Sequence, residues 1–345
     1  MFKKEGFMGN LWLNNELVDR LAMLQQTEIE HFGINQVAIE KDWWVTVTLK
    51  ALFQTDCHEA LIFKGGTSLS KGFNIIERFS EDIDLAIGHS FFGINKTSKN
   101  QRDKLRKKAR EYIHGTLSSQ LDARLKDIGI TGYRIENITQ VQDKNGEWKV
   151  IDSDKDPTVI LLHYPSIVED TISYIPPRVK IEISCLSMDE PTEERQIRSL
   201  IGETFEDEDS DANSNIRTVV PTRTFLEKLF LLAEEFQKEK PRSVRMSRHL
   251  YDLEKLMDTE YGREALADRS LYDAIVEHRK AYYALKHVNY DLHNPKTINF
   301  MIPKKEMEAW KADYADMQRF FIYGESPEFD TLMQRMKELQ KKVRD

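Results

Sequence analysis

The sequence predicts an α+β fold, in which a mixed β-sheet is flanked by helices and a helical domain follows at the C-terminal end. Short apolar runs and strand-like alternation occur between Leu61 and Cys185, whereas nearly all of the chain beyond Pro221 has the spacing of amphipathic helices. A chain of 345 residues is enough for one large domain or two ordinary ones. We expect N-terminal helices packing on the core (1–55), an α/β core (56–202), an acidic linker or exposed loop (203–220) and a C-terminal helical domain (221–345).

Two helices are predicted ahead of the core, over residues 10–26 and 36–53. The apolar stripe of the first consists of Leu13, Leu17, Leu21 and Leu24. The core candidates of the second are Val37, Ile39, Trp43, Val47 and Leu49. Lys41 and Asp42 could reach a functional site, although a structural ion pair is the commoner fate of such residues.

Within the core, a long helical pattern over residues 98–128 precedes several strands. Strands are predicted over residues 130–141, 148–151, 158–164 and 179–185, with a turn signal at residues 143–146. In the last strand, alternate residues share a face: Val179, Ile181 and Ile183 on one side, and Lys180, Glu182 and Ser184 on the other.

The stretch 203–215 is acidic and almost without apolar residues, which favours a linker or exposed loop. Beyond it, the periodicity predicts helices over residues 222–238, 243–259, 270–285, 304–322 and 329–343. The boundary near Pro221 would then separate the α/β core from a helical domain.

The formal net charge of −8 argues against a protein that coats nucleic acid indiscriminately. A local basic patch remains compatible with an RNA substrate, and two segments are candidates. The first spans residues 102–110 and carries Arg102, Lys104, Arg106, Lys107, Lys108 and Arg110. The second spans residues 238–248 and carries Lys238, Lys240, Arg242, Arg245 and Arg248. The alternative for each is a solvated helix face or loop.

We expect a cytoplasmic protein that does not associate with membranes. No apolar run approaches the length of a membrane span, and the first residues lack the apolar core of a signal peptide. Cys57 and Cys185 are the two cysteines, and their spacing is not that of a metal site, which fits a reducing compartment.

The stretch 61–87 carries the chemistry. An apolar run ends in Gly65 and Gly66, Thr67 and Ser68 follow as helix N-cap candidates, and a second apolar run contains two aspartates, Asp82 and Asp84. The glycines permit a sharp turn and close approach of a ligand, and the start of a helix suits phosphate. Asp82 and Asp84 share one strand face, where two carboxylates repel each other unless a cation lies between them.

These features together indicate a site for a nucleoside triphosphate bound to Mg²⁺, which prefers carboxylate and phosphate oxygens; Mn²⁺ could replace it. Taken singly, the glycine pair could be an ordinary turn and the aspartates an exposed strand edge. The G-x-x-x-x-G-K-[ST] pattern of a P-loop and the G-x-G-x-x-G pattern of a dinucleotide site are both absent from the stretch.

Gly65-Gly66-Thr67, a short helix and then Ser80-x-Asp82-x-Asp84 resemble the signature of the DNA polymerase β-like nucleotidyltransferase superfamily. More narrowly, the chain resembles the AbiEii/MenT-type nucleotidyltransferase toxins of bacterial toxin–antitoxin and phage-abortive systems. Four further boxes occur in family order: Glu40-Lys41-Asp42-Trp43-Trp44-Val45, Lys180-Ile181-Glu182-Ile183, Phe225-Leu226-Glu227-Lys228-Leu229 and Arg248-His249-Leu250-Tyr251-Asp252-Leu253. The ordered set runs from about residue 36 to residue 256 and is more specific than any one box.

The resemblance implies that Asp82 and Asp84 bind Mg²⁺ for attack on the α-phosphorus of an NTP. Glu182, where the superfamily more usually has Asp, would complete a two-metal site or act as the base. The nucleotide-binding candidates are Gly65, Gly66, Thr67, Ser80, Lys228, Arg248 and Asp252. The residues also allow structural alternatives: a strand-start cap for Ser80, a pair of Lys228 with Glu227 or an acidic core residue, a helix-surface pair of Arg248 with Asp252, and a structural role for His249.

The function implied is that of a toxin that moves a nucleoside monophosphate from an NTP to RNA, with the 3′ end of tRNA as the acceptor. Likeness to AbiEii implies GTP, and an antitoxin encoded nearby is a further expectation. Transfer of AMP to a protein hydroxyl, and a nucleotide-binding protein that transfers nothing, are the alternatives left open.

Overall fold

The computed structural model describes residues 9–31, 34–94, 97–168, 175–189 and 191–345. The chain forms two compact units, each assembled from three separate stretches. The first unit comprises Met1–Phe63, Glu81–Ser187 and Glu194–Thr218. The second comprises Lys64–Ser80, Met188–Glu193 and Val219–Asp345. The four-part division made from the sequence stays a prediction at the level of domains.

A seven-stranded mixed sheet forms the centre of the first unit, apart from a few strand-end residues, and confirms the α+β prediction. In chain order its strands are β1 (Leu61–Lys64), β2 (Asp82–Ile87), β3 (Arg134–Asn137), β6 (Thr158–His163), β7 (Arg178–Ser184), β8 (Thr192–Arg198) and β9 (Asn213–Val219). The spatial order is β3-β6-β7-β2-β1-β9-β8. β2 runs parallel to β7 and β1 parallel to β9, whereas β6 is antiparallel to both β3 and β7.

A separate two-stranded hairpin forms around the turn predicted at residues 143–146. Its strands are β4 (Gln140–Gln142) and β5 (Trp148–Val150), which pair in antiparallel fashion. Gly146 has a φ of 83°, a left-handed conformation that glycine adopts without strain.

The helices of the first unit are α1 (Leu17–Glu30), α2 (Gln36–Leu52), α4 (Lys99–Tyr112), α5 (Ser118–Asp127) and α6 (Leu200–Thr204). A π-helical turn, Ile113–Leu117, joins α4 to α5, so the predicted helix over 98–128 is present with one irregular turn. The helices of the second unit are α3 (Gly65–Lys71), α7 (Pro221–Glu235), α8 (Ser247–Leu256), α9 (Glu260–Ala267), α10 (Arg269–His278), α11 (Met307–Phe320) and α12 (Phe329–Arg344).

The two N-terminal helices differ in how well the sequence predicted them. α2 is almost wholly buried, including Ile39, Trp43 and Val47, as expected. The leucine stripe of α1 is wrong for Leu17 and Leu21, which are exposed, and right for Leu24, which the helix buries together with Met23 and Thr27. Periodicity located this helix but did not define the face that packs.

The prediction of a linker over 203–220 is also wrong in its secondary structure. The stretch contains the end of α6 and all of β9, which pairs with β1 inside the sheet. Asp209, one of its acidic residues, is buried and accepts hydrogen bonds from the Trp12 backbone N–H and the Trp43 indole N–H, both at 2.8 Å. Side-chain partners distant in sequence therefore satisfy a carboxylate that composition alone assigned to solvent.

The second unit is built around one apolar core to which α7, α8, α11 and α12 all contribute. The predicted helix over 243–259 begins only at Ser247, because Asp313 accepts hydrogen bonds from the backbone N–H of Ser247 (2.9 Å) and from its hydroxyl (2.5 Å). The predicted helix over 270–285 ends in a π-helical turn, Arg279–Tyr283. Among the described residues, no helix combines the length and the apolarity needed to span a bilayer.

Candidate active site

A pair of neighbouring strands in the first unit carries the predicted catalytic carboxylates. Ile83 and Leu85 of β2 are fully buried, and Asp82 and Asp84 alternate with them on the other face. Parallel pairing with β7 places Asp84 opposite Glu182. The shared face of the two aspartates, predicted from their spacing, is present in the structure.

Burial and the charges on this strand pair shift the pKa of Asp82. Burial raises the pKa of Asp82 above its ordinary value; Lys180 opposes the rise, and the negative charges of Glu81, Asp84 and Glu182 add to it. A site that makes an anion costly in this way favours a bound cation.

The residues present fit a Mg²⁺ ion that is bound partly by the protein and partly by the substrate. In the described part of the chain, no group of three or more Asp, Glu, His or Cys side chains is arranged to hold a metal ion. Mg²⁺ commonly takes only one or two protein carboxylates and completes its octahedron with water and substrate phosphates. Asp82 and Asp84 supply such oxygens.

Glu182 has a partner that the sequence did not predict. The Lys180 ammonium lies 2.8 Å from the Glu182 carboxylate on the same face of β7, and parallel pairing places Lys180 opposite Asp82. Both side chains keep partial exposure, 39% for Lys180 and 26% for Glu182. The strand face that carries the carboxylates therefore also carries the positive charge of Lys180.

The Glu40-Lys41-Asp42 box supports the flank of this strand pair. Lys41 forms a buried ion pair with Glu81 at 2.8 Å, which confirms the structural alternative for this lysine. Glu40 accepts a 2.9 Å hydrogen bond from the Ile167 backbone N–H, and Asp42 accepts one of the same length from that of Leu200. Each of the three residues thus fixes a different segment of the first unit.

The glycine turn belongs to the second unit, where it begins α3. Gly65 has a φ of +86°, which a residue with a side chain rarely adopts. A Cβ added to Gly66 would lie 2.5 Å from the Arg78 guanidinium, so a larger residue there would displace the end of that side chain. Thr67 donates a 2.8 Å hydrogen bond to the Ser80 hydroxyl. The prediction that Thr67 or Ser68 caps the helix is wrong, since α3 already starts at Gly65 and both residues lie inside its first turn.

A buried ion cluster unites the predicted lysine and aspartate helices of the second unit. Asp252 is fully buried and accepts two hydrogen bonds from Arg78, at 2.7 and 2.8 Å. The Lys228 ammonium lies 2.8 Å from the same carboxylate. Burial by itself would raise the pKa of Asp252, but the charges of Arg78 and Lys228 outweigh it and hold that pKa well below its usual range.

The cluster shows which carboxylate pairs with Lys228. Glu227 pairs with Arg223 at 2.9 Å, so the partner of Lys228 is the acidic core residue Asp252. The helix-surface pair between Arg248 and Asp252 is wrong, because Asp252 points into the core and bonds to Arg78 and Lys228.

Arg248 and His249 lie within electrostatic range of the cluster. Burial lowers the pKa of Lys228; Asp252 opposes this, and Arg78 and Arg248 add to it. Burial also holds the pKa of His249 well below its ordinary value, and the charges of Lys228 and Arg248 add to the effect. His249 is therefore neutral, in keeping with a structural role.

Arg78 is the site residue that sequence reasoning missed. Its backbone pairs with Ile322, its guanidinium lies against Gly66, and its side chain is only 5% exposed. The available signal was its place between the glycine turn and Ser80. The residue that it binds, Asp252, is 174 positions away, and no local pattern could identify it.

The two basic segments are partly neutralised inside their own units. Lys238 and Arg242 both bind the buried carboxylate of Glu235, at 2.7 and 2.9 Å. In the first segment, Arg106 pairs with Asp103 at 2.9 Å. The role predicted for either segment in binding RNA stays a prediction.

The fold, a mixed sheet flanked by helices, is that of the nucleotidyltransferase class. A similar solved structure is that of MenT4, a nucleotidyltransferase toxin from Mycobacterium tuberculosis H37Rv, with a TM-score of 0.51, 14% sequence identity and coverage of 93% of this chain and 89% of that chain. At this identity the likeness concerns the fold alone.

The family described as "Nucleotidyl transferase AbiEii toxin, Type IV TA system" matches residues 48–335. Because the match covers most of the chain, the chain belongs to the AbiEii nucleotidyltransferase toxin family, as the ordered boxes predicted. It is accordingly an NTP-using transferase of a toxin–antitoxin system. No curated protein matches the chain.

Proposed function

We propose that this protein transfers a nucleoside monophosphate from an NTP to RNA in a Mg²⁺-dependent reaction that releases pyrophosphate. The observation that carries the proposal is the placement of Asp82 and Asp84 on one face of β2, with Asp84 in register with Glu182 on β7. When bound there, Mg²⁺ supplies positive charge to the attacking and leaving oxygens. The two aspartates are its protein ligands.

The triphosphate is bound by the glycine turn and by the residues that surround it in the second unit. Gly65 and Gly66 allow phosphate oxygens to approach backbone N–H groups, and the hydroxyls of Thr67 and Ser80 add polar contacts. Lys228 adds a positive charge, which the buried carboxylate of Asp252 orients. Only one residue separates Ser80 from Asp82 in the sequence.

In the reaction, a hydroxyl of the acceptor attacks the α-phosphorus in line with the bond to pyrophosphate. The new phosphorus–oxygen bond forms as the bond to the β-phosphate oxygen breaks, and the hydroxyl proton passes to a base or to solvent. Holding the two reactants in this geometry accounts for much of the rate enhancement in phosphoryl-group chemistry.

The proposed acceptor is the 3′ end of tRNA, and the proposed setting is an abortive-infection or toxin–antitoxin system with a cognate antitoxin in the cytoplasm. Membership of the AbiEii family supports the toxin–antitoxin setting. The tRNA acceptor is what the resemblance of the sequence boxes to the AbiEii/MenT-type toxins implies. GTP is the proposed nucleotide, as the resemblance to AbiEii implies. The segment 238–248 is the proposed RNA contact, through Lys240, Arg242 and Arg245.

The test is incubation of the protein with each labelled NTP, total RNA, a protein extract and Mg²⁺, followed by mass spectrometry of both fractions. We expect label on tRNA from wild type and from Glu194→Gln, a control at an exposed carboxylate on β8. Asp82→Asn and Asp84→Asn should transfer at least about 1,000-fold less, because each loses a metal ligand worth several kcal/mol. Label on protein alone would exclude RNA as the acceptor, and full transfer by either Asn variant would exclude the metal assignment.

A further inference from the structure

Lys180 places a positive charge within the carboxylate face of β2 and β7. Its ammonium is 2.8 Å from Glu182, and its backbone lies in register with that of Asp82. Burial raises the pKa of Asp82, and among the neighbouring charges that of Lys180 has the largest effect on this pKa, which it lowers. The side chain is 39% exposed, so its ammonium is accessible to a ligand from solvent.

The pairing of Glu182 with Lys180 bears on the number of metal ions that the site holds. A two-metal site requires carboxylates that bridge or surround both ions, and no group of three potential ligands is arranged to do so in the described part of the chain. Glu182 instead binds an ammonium at hydrogen-bond distance. Asp82 and Asp84 are the other two carboxylates of this face, and two carboxylates are the usual protein contribution to one Mg²⁺.

A lysine can supply the charge that a second ion would otherwise bring. Its ammonium is a compact point charge with three N–H donors, and lysines bind phosphate oxygens in many nucleotide sites. In this protein one donor is directed to Glu182, which fixes the position of the side chain on the strand face.

We propose that the site holds a single divalent cation, bound by Asp82 and Asp84, and that Lys180 provides the second positive charge for the triphosphate. Glu182 is then a positioning residue that orients Lys180, and it is neither a metal ligand nor the base. The inference rests on the proposed nucleotidyl transfer and specifies the metal requirement of that reaction.

The test counts metal ions directly and does not depend on turnover. Mn²⁺ binding is measured by electron paramagnetic resonance and calorimetry, with a saturating α,β-methylene NTP analogue that cannot be cleaved. We expect one Mn²⁺ per chain in wild type and in Glu182→Gln, and none at this site in the double variant Asp82→Asn/Asp84→Asn.

The contribution of Lys180 is measured by the affinity for the same analogue. Lys180→Met and Lys180→Gln should each bind it about tenfold or more weakly, as expected for loss of a hydrogen bond to a charged group. Lys126→Met is the matched control, because it removes a lysine that pairs with Asp122 at 2.6 Å on the surface of α5. Thermal unfolding of each variant shows whether the fold is intact.

Two Mn²⁺ ions in wild type, or loss of an ion in Glu182→Gln, would overturn the inference and leave the proposed transfer reaction standing. Normal analogue affinity in both Lys180 variants would overturn it as well. If wild type bound no Mn²⁺ at all, the metal-dependent reaction itself would be excluded, and the inference with it.

Discussion

The strand pair β2–β7 and the cluster around Asp252 use charged side chains in opposite ways. On the strands, three carboxylates share a partly exposed face, and burial with the neighbouring negative charges raises the pKa of Asp82 against the opposing charge of Lys180. In the cluster, one fully buried carboxylate is bound by both Arg78 and Lys228, which lower its pKa. The first arrangement has one cation, Lys180, among three carboxylates and is stabilised by adding another, whereas the second already contains its counter-ions.

The same residue type has a different task in each of the two regions. In the proposed reaction Asp82 binds the metal ion, at a cost to stability of the kind that is common at functional sites. Asp252 holds two cations in place, and removing it would leave them buried without their partner. Variants at the two aspartates should therefore change stability in opposite directions.

The largest effect on stability is expected for Asp252→Ala. Loss of the buried carboxylate should lower the free energy of unfolding by about 3–5 kcal/mol, the usual cost of breaking a buried ion pair from one side. Asp82→Ala should leave that free energy unchanged or raise it, because it removes a repelling charge. Urea unfolding of both variants, without metal or nucleotide, measures the two values. A similar loss of stability in both would show that Asp82 is also structural.

A smaller effect is expected for Arg78→Lys, which keeps the charge but cannot reproduce the two parallel hydrogen bonds to Asp252. We expect a loss of about 1–3 kcal/mol in the free energy of unfolding. The matched control is Arg134→Lys, at an exposed pair with Glu136, where the loss should stay below about 1 kcal/mol.

Arg78→Lys also tests whether the cluster around Asp252 contributes to nucleotide binding. A bound NTP at about 100 times its dissociation constant adds roughly 2.7 kcal/mol to stability. Arg78→Lys and Lys228→Ala should both reduce this gain in a thermal shift assay with NTP and Mg²⁺. An unchanged gain in both variants would mean that the cluster is purely structural.

The smallest expected effect is on the pH dependence of stability. The folded-state pKa of Asp82 is raised, so Asp82 opposes folding at neutral pH, and this penalty is relieved as the pH falls through its raised pKa. The stability difference between Asp82→Asn and wild type should therefore shrink as the pH is lowered from 7 toward that pKa.

The contribution of Asp252 to stability changes with pH in the opposite direction. Its folded-state pKa is lowered, so its contribution is complete above the unfolded pKa of about 3.9 and is lost as the pH falls below that value. Urea unfolding at a series of pH values separates the two groups. A stability difference for Asp82→Asn that did not vary between pH 7 and 4 would contradict the electrostatic account of the strand pair.

The sequence by itself determined the elements that have a strong local pattern. Alternation in β2 and β7 placed Ile83 and Ile181 in the core and their acidic neighbours on the other face, because successive strand residues point to opposite sides. The helical spacing in α2 and α7 gave helices close to those observed. The ordered boxes identified the family.

Only the tertiary structure decided which partner each charged residue has. Arg248 is four residues from Asp252, yet the carboxylate binds Arg78 from a distant stretch, because the buried face of α8 is set by packing and not by local spacing. The same holds for β9, which composition marked as a linker and which becomes a strand through its pairing with β1. Propensity and periodicity act over a few residues, whereas burial and strand pairing depend on segments that the fold brings together from far along the chain.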